Sequence, residues 1–396
     1  MNSIDRLVEQ PLWEYKPDLF LDAANEAYSI WRQNPRYDSL CLGLNSPKSF
    51  RELEDILKAP GITQQIFKDD PEIMKTGEQV GIRYIESSGT TIGRFSNVPR
   101  NPETWHRLEK NYEKLNQDIG PLVYMAMLAP DPTLEGVPQK AVFIYADLGT
   151  GKTAHDHFIK YKGVRTEIVE GIEVKRLDME MDVPGLFGKL REHPGRKFIF
   201  GVPGLIHRLY HEGMEPRNIS VDLENGILAT AGGPKDLQGG NISMSELVTI
   251  AEKGFNAGHV DWYASAEMMF ATRKGPKCTP EKKHIPAQGY IFTIDWDKLD
   301  KENVIELTKP NEPGLAVIVD PMNTTTPGIT IMDDIVKVDQ NYKCPCGIKG
   351  PVMEFVGRTK DADEKTRDTC GRTMARDTKL LKMNPDEILK ALENIR

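Results

Sequence analysis

The strongest constraint on this chain is an alternation of two patterns. Short apolar runs rich in β-branched residues recur between amphipathic segments: Gly81 to Ile85, Ala141 to Tyr145, Lys197 to Phe200, Ile227 to Thr230, Tyr290 to Ile294 and Leu315 to Val319. Runs of this length suit buried strands, and helices between them suit the faces of a sheet, so the pattern predicts a layered α/β body. Residues Pro102 to Asn116 place Trp105, Leu108, Tyr112 and Leu115 on one face, with Asn101 as cap and Pro102 in the first turn, which predicts a helix. The first eighty residues read as mostly helical, carry no motif tied to chemistry, and are assigned a scaffold or entrance role. After Val338 the character changes, through Cys344-Pro345-Cys346-Gly347 and a polar stretch from Arg358 to Lys379, to a last amphipathic helix opened by Asn384-Pro385-Asp386-Glu387. The expected division is a large domain over 1–356, whose 1–80 part is helical, and a short C-terminal segment over 357–396.

Charge and hydropathy remove whole classes of function. Among 396 residues, 51 are Lys or Arg and 59 are Asp or Glu, a formal net charge of −8 with no dense basic run. That balance argues against binding driven by nucleic-acid phosphates or anionic membranes. No apolar stretch approaches the ~18 residues of a membrane span. Asp5 and Glu9 stand where a signal peptide needs a basic start and an apolar run, so a cytoplasmic protein is expected.

The five cysteines, Cys41, Cys278, Cys344, Cys346 and Cys370, are an odd number with one close pair, which fits metal binding or thiol chemistry better than a disulfide framework. Cys278 and His284 are separated by five residues, and Cys344 and Cys346 follow some sixty residues later. Three thiolates and an imidazole make a closed tetrahedral set of the structural-zinc type, which would pin the C-terminal segment without doing chemistry.

Two segments compete as phosphate binders. Ser87, Ser88, Gly89, Thr90, Thr91, Ile92, Gly93 and Arg94 follow the strand-like Ile82 to Ile85. Small and hydroxyl residues let backbone N–H and side-chain O–H groups converge on phosphate, while Arg94 offers charge-assisted bonds. Taken alone, the segment reads equally as a hydrophilic turn. The rival, Ala146-Asp147-Leu148-Gly149-Thr150-Gly151-Lys152-Thr153, follows the apolar run Ala141 to Tyr145 and satisfies a loosened P-loop pattern, with alanine in place of the first glycine. Asp295 or Asp320, each after an apolar run, is available to help hold Mg²⁺ there.

Further stretches lie in a fixed order along the chain. After the Ser87 to Gly93 loop come Phe200-Gly201-Val202-Pro203-Gly204-Leu205-Ile206, Thr230-Ala231-Gly232-Gly233-Pro234, Tyr263-Ala264-Ser265-Ala266-Glu267, Asp333-Asp334 and Gly357-Arg358. This series resembles the adenylate-forming superfamily, and within it the phenylacetate-CoA ligase and bacterial acyl-protein synthetase branch. The resemblance covers roughly residues 80 to 375 and implies a large α/β adenylation domain with a reduced C-terminal element. It implies that Ser87, Ser88, Gly89, Thr90, Thr91 and Gly93 form the phosphate loop, with Arg94 where the pattern has lysine. Gly232 and Gly233 would lie beneath adenine, the Tyr263 ring against it, and Asp334 on the ribose hydroxyls. Glu267 would hold Mg²⁺, and Arg358 would reach nucleotide from a hinge. Ala264 and Ala266 depart from the pattern Tyr-Gly-x-Thr-Glu. The four Cys and His ligands also have counterparts in the CoA-ligase branch.

The implied activity is ATP-dependent formation of an acyl- or aryl-adenylate from a small carboxylic acid, with release of pyrophosphate. Transfer would follow to a thiol or amine: CoA, a carrier protein, a cysteine of the chain or a small molecule. ATP, Mg²⁺ and structural Zn²⁺ are the implied cofactors. Full members carry a longer C-terminal domain with a lysine that contacts the reacting carboxylate, whereas here only Thr359 to Arg396 follow the hinge. The acyl-protein synthetase branch is similarly short and carries its acyl group on a cysteine near the C-terminus. Cys370, between Arg367 and Arg372, stands in a comparable place and is the candidate nucleophile; an incidental free thiol is the other reading. Dimers are the default expectation for such enzymes. The alternatives are a P-loop NTPase using Lys152 and Thr153, and a non-catalytic nucleotide-binding homologue.

Overall fold

The computed structural model describes residues 1–77, 80–87, 96–169, 172–233, 241–302, 305–359 and 377–380. Its strands are, in chain order, β1 (Ile62–Thr63), β2 (Arg83–Glu86), β3 (Asn97–Arg100), β4 (Tyr124–Met127), β5 (His155–His157), β6 (Ile159–Val169), β7 (Ile172–Met181), β8 (Lys197–Gly201), β9 (Gly226–Ala231), β10 (Ala257–Tyr263), β11 (Thr272–Lys274), β12 (Lys283–His284), β13 (Tyr290–Ile294), β14 (Gly314–Val319), β15 (Ile329–Asp339), β16 (Val352–Arg358) and β17 (Thr378–Leu380). The chain divides into two compact units. The first comprises Met1–Ser87, Phe95–Leu115 and Tyr263–Asp363, and the second Ser88–Arg94, Asn116–Trp262 and Glu364–Arg396.

In the first unit, β13, β14, β15, β16, β12 and β11 pair antiparallel in that order. β13 and β14 are buried along their whole length, whereas β15 alternates buried and half-buried positions from Ile331 onward. Their sequences follow suit: YIFTI and GLAVIV are nearly all apolar, while Ile331 to Asp339 alternates in the period of a strand with one wet face. β1 joins β15 in parallel, and β2 and β3 form a separate antiparallel ribbon. The helix predicted from Pro102 is present over Pro102–Ile119; Asn101 Oδ1 accepts from Thr104 N at 2.7 Å, and Trp105, Leu108, Tyr112 and Leu115 form its buried face.

The second unit holds a parallel sheet in the order β10, β9, β8, β4, β5. β4 and β8 are buried throughout, as expected of strands covered on both faces. The helix Val183–Glu192 is capped by Asp182 on Gly185 N, and Met244–Phe255 is capped by Ser243 on Glu246 N and ends at Asn256 with φ +43°. Phe198, Ile199, Leu205, Leu228, Ile250 and Phe255 share one core. A Cβ on Gly226 would stand 2.0 Å from Lys197 O, so only glycine lets β9 begin beside β8. β6 and β7 make a long antiparallel hairpin, to which β17 adds in parallel. No described helix is long and apolar enough to cross a membrane.

One expected strand is a helix. Ala141 to Tyr145 belongs to the helix Ala141–Leu148, with Ala141, Phe143, Ile144, Tyr145 and Ala146 buried. A short apolar run without a polar phase is compatible with either element, and burial on several sides selects the helix. The consequence removes the P-loop reading. Gly149 N donates to Tyr145 O, Thr150 N to Asp147 O and Thr153 N to Thr150 O, before β5 begins at His155. The order is helix, turn, strand, the reverse of the strand, loop, helix that a P-loop needs, and these N–H groups are already spent. Lys152 and Thr153 therefore sit in a turn.

Candidate active site

The first unit brings together Tyr263, Asp334 and Arg358. Asp334 is on β15 and Arg358, its register partner, ends β16. Arg358 Nε donates to Asp334 Oδ1 at 2.7 Å, and Tyr263 Oη donates to Asp334 Oδ2 at 2.6 Å. Both carboxylate oxygens of a side chain only 3% exposed are thus engaged by charge-assisted bonds. Burial, with the neighbouring Asp334 charge, holds the Tyr263 hydroxyl well above its usual pKa, so it stays a donor. The Tyr263 ring lies 6.0 Å from that of Phe355, centroid to centroid. Asp333 is only half-buried; its N–H donates to Gln64 Oε1 at 3.2 Å.

Glu267 follows Tyr263 by four residues and is also 3% exposed, yet neither carboxylate oxygen has a hydrogen-bond partner. An ionised carboxylate buried in this way is costly unless a cation compensates it, and an oxygen-only donor suits a hard cation such as Mg²⁺. The loop carrying it is gripped by main-chain contacts. Arg100, fully buried at the end of β3, donates from Nη2 to Ala266 O at 2.8 Å and Glu267 O at 3.0 Å. Asn111 Nδ2 donates to Met269 O at 2.9 Å, and Asp320 Oδ2 accepts from Met269 N at 2.7 Å. Burial pushes the Asp320 carboxyl up to about 6. Sequence reasoning did not connect Arg100, Asn111 or Asp320 with this loop. Asn111 alone left a signal, as a polar residue between Leu108 and Leu115 on the buried helix face.

Cys278, His284, Cys344 and Cys346 also converge in the first unit, with their ligand atoms all within 4.8 Å of one another. Cys346 Sγ lies 3.2 Å from His284 Nε2, and Gly275 N donates to Cys278 Sγ at 3.2 Å. Gly347, at φ +84°, turns the chain after Cys346 while its N–H bonds Cys344 O. Burial pushes the Cys278 thiol up to about 12 and the His284 imidazole down to about 4. His284 is therefore neutral and able to ligate, and the donor set fits a thiophilic cation of the zinc type.

Gly232 and Gly233 belong to the second unit, directly after β9; Gly232 takes φ +99°, which only glycine adopts without strain. Ser87 closes the β2–β3 ribbon, its N–H donating to Ser96 O at 2.9 Å and its Oγ accepting from Ser96 N at 3.0 Å. Ser88, Gly89, Thr90, Thr91, Gly93 and Arg94 lie outside the described residues, as do Cys370 and the helix expected from Asn384.

The fold is that of adenylate-forming ligases. In an open conformation with 2-HIB-AMP and CoA, 2-hydroxyisobutyryl-CoA ligase superposes with a TM-score of 0.62 at 14% identity, over 87% of this chain and 70% of that one. The same ligase with 2-HIB-AMP in the postadenylation state gives 0.62 at 14%, over 87% and 68%, and in the thioesterification state 0.60 at 16%, over 87% and 68%. Residues 186–378 match the family described as acyl-protein synthetase, LuxE. No curated protein sequence matches it.

Proposed function

We propose that the protein activates a carboxylic acid with ATP and passes the acyl group to a thiol. The observation that carries this reading is a pair of buried carboxylates in contrasting states: Asp334 already engaged by directional donors, Glu267 with both oxygens unpartnered. Asp334 would accept hydrogen bonds from the two ribose hydroxyls, with Arg358 giving up its bond to reach the nucleotide. The Tyr263 ring would lie against adenine. Glu267 would hold Mg²⁺, which when bound supplies charge neutralisation on the polyphosphate.

In the first half-reaction a substrate carboxylate oxygen attacks the α-phosphorus, and the bond to the bridging oxygen breaks with its electron pair leaving on pyrophosphate. Ser87 to Arg94 would supply the phosphate donors. In the second, a thiolate attacks the acyl carbonyl and AMP leaves. The acceptor is CoA, a carrier protein or Cys370. Cys278, His284, Cys344 and Cys346 would hold a structural Zn²⁺.

The test is carboxylate-dependent exchange of labelled pyrophosphate into ATP, across aryl, short-chain and long-chain acids. Exchange that requires both an acid and Glu267 is expected. Nucleotide binding without exchange for every acid would replace this reading with that of a non-catalytic homologue.

A further inference from the structure

The segment that mimics a P-loop in sequence leads to a different site. Asp147 lies in the last turns of the helix Ala141–Leu148, and His155 and His157 alternate on β5, so both imidazoles leave the same face of the strand. Asp156, between them, turns the other way and accepts from Tyr124 Oη at 2.8 Å. His155 Nδ1 is 2.9 Å from Thr153 O, and His157 Nδ1 is 3.1 Å from Ala129 O. A carbonyl only accepts, so each Nδ1 carries a proton and Nε2 is the ring nitrogen left to ligate. Both Nε2 atoms face Asp147 Oδ1, His157 at 3.5 Å and His155 at 3.9 Å, with the rings nearly perpendicular at 79°.

These separations are too long for hydrogen bonds. They approach the spacing of ligands on a common ion: atoms about 2.0–2.2 Å from one cation stand roughly 3.0–3.5 Å apart. All three ligand atoms lie within 4.8 Å of one another, and His157 Nε2 is buried with no hydrogen-bond partner. Backbone carbonyls behind both rings are the outer-shell arrangement that orients metal-binding histidines. Asp131 adds negative potential nearby, its carboxylate fixed by Thr133 N and Oγ1 at 2.8 and 2.6 Å. A second cluster in this unit, His207, His211 and Glu246, has His207 Nε2 3.1 Å from Glu246 Oε1, the distance of an ordinary hydrogen bond.

We propose that Asp147, His155 and His157 form a metal site, separate from the Cys/His cluster, that takes one divalent first-row transition cation such as Zn²⁺. Two imidazoles and one carboxylate suit borderline cations over Ca²⁺ or Mg²⁺. Side-chain exposures of 27% at Asp147 and 31% at His155 leave the remaining coordination positions to water. The ion would clip the edge strand of the parallel sheet to the preceding helix. Full-length protein stripped with a chelator, reloaded with Zn²⁺ and dialysed should hold one equivalent more than His157→Ala or Asp147→Asn treated identically. Cys344→Ser should keep that equivalent. Asp147→Asn preserves shape, and its melting temperature before loading checks that it folds. Zinc content in both variants equal to wild type would overturn the proposal.

Discussion

Asp334 and Glu267 are each 3% exposed in the same unit, but the first is tied by Tyr263 and Arg358 while the second has no partner on either oxygen. Burial alone therefore does not say what a carboxylate is for; the state of its lone pairs does. A satisfied carboxylate is held in place ready to exchange one donor for another. An unsatisfied one lowers stability until a cation arrives, and that debt makes the site selective for charge.

The sharpest way to break this contrast is Glu267→Gln. Pyrophosphate exchange should fall by about 10²–10³-fold, because a neutral amide cannot hold the cation that offsets polyphosphate charge. In metal-free buffer the same variant should melt a few degrees higher than wild type, since an unpartnered buried carboxyl group is gone. Asp334→Ala should behave oppositely: its KM for ATP rises about 10–100-fold, and stability in denaturant titration falls by about 2 kcal/mol as Tyr263 and Arg358 lose their acceptor. Tyr263→Phe removes one donor and should cost about 1–2 kcal/mol by the same titration, with a KM change of only several-fold.

A third buried carboxylate, Asp320, has its effect read through pH. Its folded-state value is raised from 3.8 to about 6 by burial, so the folded protein binds the proton more tightly than the unfolded chain. The associated stability is present below about pH 4 and is lost as pH rises through about 6, on the order of 3 kcal/mol in all. Unfolding curves between pH 4 and 7 should show this decline in wild type and not in Asp320→Asn.

Legibility of the fold followed how local each signal was. The helix from Pro102 was readable because its cap, first-turn proline and apolar face lie within one segment, and β13 and β14 because their runs are short and bounded. The helix at Ala141 was not, since AVFIYADL has no polar phase to distinguish 3.6 from 2 residues per repeat. Among candidate residues, Cys278, His284, Cys344 and Cys346 were legible from residue type and spacing, and the structure brings them together. Arg100 was not: its carbonyl partners lie 166 and 167 residues away, and nothing near Arg100 in sequence announces them. His155, Asp147 and His157 were hidden because a glycine-rich segment drew the eye to phosphate, while the cue was an alternating pair of histidines.

The grip on the Glu267 loop comes from Arg100 and Asn111 through carbonyl oxygens and from Asp320 through an amide. Such contacts are blind to what side chains the loop displays. The loop's path is thus held by its main chain, and the alanines at 264 and 266 need not take part in fixing it. For an engineer, half-buried Ala264 is the position at which to vary a side chain without rebuilding the frame beneath it, whereas Ala266 is buried.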